Sequence, residues 1–195
     1  HINYFHYSTS RIFSLIVYLF DIIMIPFNVY VDLLNNDNDA VKNILSSISS
    51  LYHSFTSKHQ RKTAFIFDIQ PDRIKFVKDI SKTLEIDTVI SFATMNDILP
   101  SSKMISVFVD FGDTVSISKI ILMLEHGVPF LGQINPERKD ILDNSCSILA
   151  NTKSNFDLNP MIISYLRMLY FDPEVRKILK RGAAAKPKNI KILTK

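Results

Sequence analysis

From Thr63 onward the chain alternates between short runs rich in Val, Ile and Phe and longer runs with a helical repeat. Strands that alternate with helices at these lengths pair in parallel, with helices on both faces of the sheet. The β-rich runs are Ala64–Phe67, Thr88–Phe92, Ile105–Val109, Val128–Leu131 and the shorter Ser147–Leu149. Between them, Pro71 opens a helix with an inner face of Ile74, Val77, Ile80 and Leu84, proline being favoured in a first turn. Met95–Leu99 reads as a short turn or helix ended by Pro100. Thr114 to His126 is apolar almost all round, so it is expected between layers, with Gly127 as its cap. Asn159-Pro160 and Asp172-Pro173 open two closing helices.

Upstream, Asn35-Asn36-Asp37-Asn38-Asp39 is a turn cluster that supplies helix caps. Val41, Ile44, Leu45, Ile48, Leu51, Tyr52 and Phe55 follow with the spacing of one helical face. The run Ile12–Val31 is the most apolar stretch and is about 20 residues long, the length that crosses a bilayer. Asp21 near its centre argues against insertion, at a cost of about 2.5–3.5 kcal/mol, and Pro26 and Asn28 interrupt its far end. No small-residue cleavage site follows it, as a signal peptide would require. The run is therefore read as buried helix and strand. The expected organisation is a mainly helical N-terminal segment (1–60), a Rossmann-like α/β domain (61–185) and a basic tail (186–195). A start at His1 rather than Met suggests a fragment or a tag remnant.

Composition excludes several classes. With 47% hydrophobic residues and four glycines the chain is neither disordered nor collagen-like. Its one cysteine, Cys146, forms no disulfide framework or multi-cysteine zinc site and reads as a small core residue. Seven cations and no acid occupy the last 19 residues, leaving 16 basic against 19 acidic groups in the body. Such a tail suits anionic lipid, nucleic acid or an acidic partner, and nucleic acid is not among the partners expected. A reducing, cytoplasmic setting is expected, with peripheral membrane contact through the tail.

No G-x-G-x-x-G, P-loop or G-x-S-x-G occurs, and the histidines lack metal-ligand spacing. No cofactor, metal or catalytic residue is assigned. Two polar clusters stand at the carboxyl ends of strands, where open parallel sheets bind ligands. Asp110, Gly112, Asp113 and Thr114 follow the third strand, with helix capping by Asp113 or Thr114 as the plainer reading. Gln133, Asn135, Glu137 and Arg138 follow the fourth, where an ordinary loop and helix start would also account for them. The candidate ligand-binding set is Asp110, Asp113, Thr114, Gln133, Asn135, Glu137 and Arg138.

MISVFVDF, SISKIILMLEHGVPFLGQI, RKDILDNSCSILA and FDPEVRKILKRGA, in that order, span Met104 to Ala183. This succession resembles the C-terminal Rossmann-like half of GT-B glycosyltransferases, above all the retaining enzymes that use nucleotide sugars. G-V-P before an apolar strand is the sharpest piece. The resemblance implies two donor-contacting glutamates eight residues apart, and their positions here hold Thr114 and Leu122. Leu122 accepts no hydrogen bond from a ribose. The family's Gly-rich phosphate loop has no counterpart around Phe65–Arg73, where Asp68 stands in place of positive charge; Glu125 is three residues out of register as a substitute. VFVDF, LEHGVPFLGQINPERKDI and NSCSILA are also similar to the first accessory Sec protein of Gram-positive adhesin export, a GT-B-like chain without transferase activity. In that family Q-I-N stands one residue earlier than Gln133-Ile134-Asn135, and Asn-Gly replaces Ser145-Cys146-Ser147. That resemblance implies a non-catalytic adaptor that joins other accessory Sec proteins and the motor ATPase, with a glycan or glycoprotein as cargo. An active nucleotide-sugar-dependent transferase half is the alternative, and a membrane-attached protein held by Ile12–Val31 and the tail is a third.

Overall fold

The computed structural model describes residues 26–112, 115–151 and 158–193, with side chains through 187. Six parallel strands form one sheet in the order β3-β2-β1-β4-β5-β6. They are β1 (Phe27–Asp32), β2 (Thr63–Asp68), β3 (Ile90–Phe92), β4 (Ile105–Val109), β5 (Phe130–Gln133) and β6 (Ser147–Ala150). The helices are α1 (Asn38–His53), α2 (Ser57–Gln60), α3 (Ile74–Thr83), α4 (Met95–Ile98), α5 (Ile117–Glu125), α6 (Pro136–Ile141), α7 (Leu158–Phe171) and α8 (Pro173–Leu193). This is the expected Rossmann-like α/β architecture.

Side-chain alternation divides the core into two layers. Val29, Val31, Phe65, Phe67, Val107 and Val109 pack on one face against Val41, Ile44 and Ile48 of α1, Val77 of α3 and Ile162 and Leu166 of α7. Tyr30, Phe108 and Phe130 face the other way, toward Met95 of α4, Ile120, Met123 and Leu124 of α5, and Ala183 of α8. Strands buried on both faces read as continuous apolar runs, as these do. Cys146 is wholly buried in the second layer, as expected of a small core residue.

Three boundaries differ from the expectation. Phe27–Asp32, inside the stretch set apart as an N-terminal segment, is the strand between β2 and β4. The sheet thus takes a central strand from that segment, and α1 packs on it; this strand is the end of the run Ile12–Val31, expected as buried helix and strand, and residues 12–25 of that run lie outside the described residues. Helix α5 begins at Ile117, with the Ser116 hydroxyl accepting from the Lys119 N–H, so Ser116 is its cap rather than Asp113 or Thr114. Its other end is the expected one. Gly127 takes φ +71°, its N–H donates to Leu124 O and that of Val128 to Met123 O, the paired bonds of a Schellman cap. The third concerns the tail, since α8 continues from Pro173 to Leu193 through Lys186 and Pro187. Pro187 removes one intrahelical hydrogen bond without ending the helix.

Candidate functional site

In a sheet of this order the crevice lies beyond the carboxyl ends of the strands, where the strand order reverses between β1 and β4. Registers place an aspartate at that edge on each central strand. Asp32 of β1 pairs in register with Asp68 of β2, and Val31 pairs with Val109, the residue before Asp110. All three are nearly or wholly buried. Carboxylates removed from water need partners, because an unpaired buried charge is strongly destabilising.

Two cations from the flanking helices supply them. Lys119, in the first turn of α5, forms an ion pair with Asp32 and places its Nζ 3.5 Å from Asp68 Oδ2. The Tyr30 hydroxyl donates to Asp68 Oδ2 at 2.7 Å, and the Leu34 N–H donates to Asp32 Oδ1 at 3.0 Å. Burial, followed by that hydrogen bond to Asp68, pushes the Tyr30 hydroxyl far above the ordinary phenol range. Arg138 of α6 is the largest wholly buried side chain among the described residues. Its guanidinium bonds Asp110, donates to the carbonyls of Gly112 and Gln133 at 3.0 Å each, and lies 5.3 Å over the Phe130 ring. The Gly112 N–H donates to Asp110 Oδ1 at 3.0 Å. Burial raises the Asp110 carboxyl to about 6, against the pull of Arg138 and the Gly112 N–H.

The candidate residues separate accordingly. Asp110 and Arg138 meet as a buried pair, and Gln133 joins them through its carbonyl. Asn135 caps α6, its Oδ1 accepting from the Arg138 N–H at 2.8 Å, so it holds the helix that carries the arginine. Glu137 is exposed in the first turn of α6. Asp113 and Thr114 lie outside the described residues. Sequence reasoning missed Asp32, Tyr30 and Lys119 and treated Asp68 only as a misplaced charge. A signal for the acids was present: VYVD, FIFD and VFVD each close a buried strand with aspartate.

Chemically, the edge is an acidic set closed by its own cations. Lys119 occupies the place between Asp32 and Asp68 that a bound cation would take, and among the described residues no group of His, Cys, Asp or Glu is arranged to hold a metal. Leu122, on α5, packs against the second core layer.

No family model matches the chain, and no curated protein matches it in sequence. Solved structures do match, glycosyltransferases among them. Across 85% of this chain it superimposes on a pneumococcal O-GlcNAc transferase, GtfA, solved with UDP and GlcNAc (TM-score 0.63, 8% identity). The chain spans 33% of that protein's length. It matches the C-terminal domain of a group 1 glycosyl transferase, LpcC, from Francisella tularensis over 85% of itself and 87% of that domain (TM-score 0.59, 16% identity). The catalytic domain of the Helicobacter pylori cholesterol-α-glucosyltransferase is covered to 99% (TM-score 0.60, 15% identity, 85% of this chain). The fold is that of a GT-B Rossmann-like half.

Proposed function

We propose that this chain is a non-catalytic, glycosyltransferase-like binding module, and that it acts as an adaptor in accessory Sec export of a glycosylated adhesin. The observation that carries the first part is the closed ion network at the switch point. A nucleotide diphosphate needs uncommitted N–H donors or cations at that edge. Here Lys119 is held by Asp32 and Asp68, and Arg138 is enclosed by Asp110 and three carbonyls. An incoming phosphate would have to displace a carboxylate from each cation and would then face three aspartates. Leu122, at the position that the resemblance gives to a donor-binding glutamate, supports the same reading because it offers no acceptor and packs, half-buried, against a core layer.

The adaptor role rests on the resemblance to the first accessory Sec protein. In that role the partners are the other accessory Sec proteins and the motor ATPase, and the cargo is a glycan or a serine-rich glycoprotein. Glu137, in solvent in the first turn of α6, is the candidate residue that a cargo would meet.

Thermal unfolding against a panel of UDP-, GDP- and CMP-sugars tests this directly. A ligand at 100 times its Kd would stabilise the fold by about 2.7 kcal/mol, a shift of several degrees for a domain of this size. No shift is expected from any member of the panel. A clear shift with one nucleotide sugar would overturn the reading in favour of an active transferase half. Co-purification with the export motor and glycosylated cargo, but not with unglycosylated cargo, is the expected positive result.

A further inference from the structure

One side of the sheet ends on β3, whose single neighbour is β2. The Phe65 N–H donates to Val89 O at 2.8 Å, and the Ala93 N–H donates to Phe67 O at 3.1 Å. Val89, Ser91 and Ala93 therefore turn their backbone groups toward β2. Alternation along the strand sends the N–H and C=O of Ile90 and Phe92 the opposite way, out of the sheet. Among the described residues no hydrogen bond closes those four groups. The strand also starts late. Its pairing begins at Phe65 with Ile90, after β2 has already paired with β1 from Thr63, and the Val89 N–H turns back to Ile86 O at 3.1 Å.

That shortfall leaves a groove of about 470 Å³ beside Thr63 and Ala64, lined also by Tyr52, Arg61, Thr88 and Ser91. Arg61 is the one charged residue of the lining, and it is exposed. At the other end of β3 the Lys78 ammonium, from α3, lies 5.7 Å over the Phe92 ring. Lys78 and Lys82, a turn further along α3, are both exposed. Of the acids on this side, Asp97 is held by Thr94 in a capping box, and Asp79 stands about 100° from Lys78 around the helix. Asp87, just before the groove, remains against three cations.

We propose that the outer side of β3 takes up an extended polypeptide rich in acidic side chains, which pairs with Ile90 and Phe92 as a further strand. The open donors and acceptors lie in one row, and an extended backbone is the partner that completes such a row. Charge then selects among extended chains. An acidic side chain meets Arg61 at the groove or Lys78 beside Phe92, and a basic one is repelled by both. The same cations count against a second copy of this chain, because edge-to-edge pairing would set Arg61, Lys78 and Lys82 against their own kind. Strand β2 separates this side from the switch point between β1 and β4, so strand addition leaves the crevice as it is. The proposal goes beyond the adaptor reading and holds whether or not the crevice takes a nucleotide sugar.

Amide exchange followed by NMR, combined with a peptide titration of the full chain, tests it. In the chain alone the Ile90 and Phe92 amides should exchange fast, and that of Ala93, which is bonded to Phe67, should exchange slowly. Slow exchange of the first two without peptide would overturn the proposal, because the edge would already be filled by this chain or by a second copy. A peptide of alternating valine and glutamate, added through the millimolar range, should slow both amides, and its counterpart with lysine for glutamate should not. The double variant Arg61→Gln/Lys78→Gln should bind the glutamate peptide about tenfold more weakly, as two opposite-charge cross-strand pairs would give. Both side chains are exposed, so the variant should keep the thermal midpoint of the parent chain. Absence of binding, equal binding of the lysine peptide, an unchanged affinity in the double variant, or protection confined to other amides would each overturn the proposal.

Discussion

The two edges of the sheet handle charge in opposite ways. At the carboxyl edge, Asp110 and Arg138 are both wholly buried and close on each other. At the amino side, Asp143 in the loop before β6 meets Lys186 of α8 at 2.6 Å, with the carboxylate half exposed. Nearby, Lys177 and Arg181 remain in water. Dehydration separates the cases. A charge stripped of water is tolerable only beside a partner and close hydrogen-bonding groups, so the Asp110–Arg138 pair favours one arrangement. Charges that keep their hydration stay available to another molecule. The crevice that would serve a transferase is therefore the rigid edge, and the available cations face the other way.

The largest expected effect breaks the rigid edge. Arg138→Met strands the Asp110 carboxylate and should destabilise the fold by about 3–5 kcal/mol, read as a lower urea midpoint near neutral pH. The double variant Asp110→Leu/Arg138→Met should recover most of that loss, since removing both charges leaves none unpaired. A double variant as unstable as the single one would show that Arg138 acts through packing.

The pH dependence carries a sign that identifies Asp110. Its carboxyl is raised from 3.8 to about 6 in the fold. Between those values the folded chain holds a proton that the unfolded chain has lost, so this group's contribution falls as pH rises from about 4 to 6 and is level above. Asp110→Asn should flatten that slope in denaturant midpoints taken across the interval, and an unchanged slope would assign it elsewhere. In Arg138→Met the deficit should shrink at pH 5, where the stranded acid protonates.

Lys119→Met should be milder, about 1–3 kcal/mol, because the ammonium is a quarter exposed and Tyr30 still donates to Asp68. The smallest effect belongs to the amino side. Asp143→Asn should change stability by under about 1 kcal/mol, as half-exposed pairs do. The Lys186 and Ser145 hydrogen bonds hold the Asp143 carboxyl down, from 3.8 to about 2. Its contribution is therefore present in full above about pH 4 and is lost as pH falls toward 2. A loss as large as that of Arg138→Met would erase the contrast between the edges.

Much of the architecture was legible before any coordinates. Ile105–Val109 is a strand with the expected bounds, the Gly127 cap stands where Gly-Val-Pro placed it, and the inner faces of α1 and α3 follow their apolar spacing. Those features depend on residues within a few positions of one another. Thr88-Val89 and Val128-Pro129 fell outside their strands for a reason that is not local: strand ends depend on how far a neighbouring strand pairs, and that neighbour is distant in sequence.

What the sequence determined by itself is the alternation of buried strands and amphipathic helices, and with it the parallel α/β class, because both periods are written in nearest neighbours. Only the tertiary structure decided that β1 lies between β2 and β4, which brings three strand-ending aspartates to one rim. It also decided that Lys119 answers Asp32 across 87 positions and Arg138 answers Asp110 across 28, and that Arg176 of α8 lies over the Phe27 ring of β1. Apolar periodicity says which face of a strand is buried and nothing about which strand lies beside it. Strand order emerges from packing the whole sheet, and charge partners follow from that order.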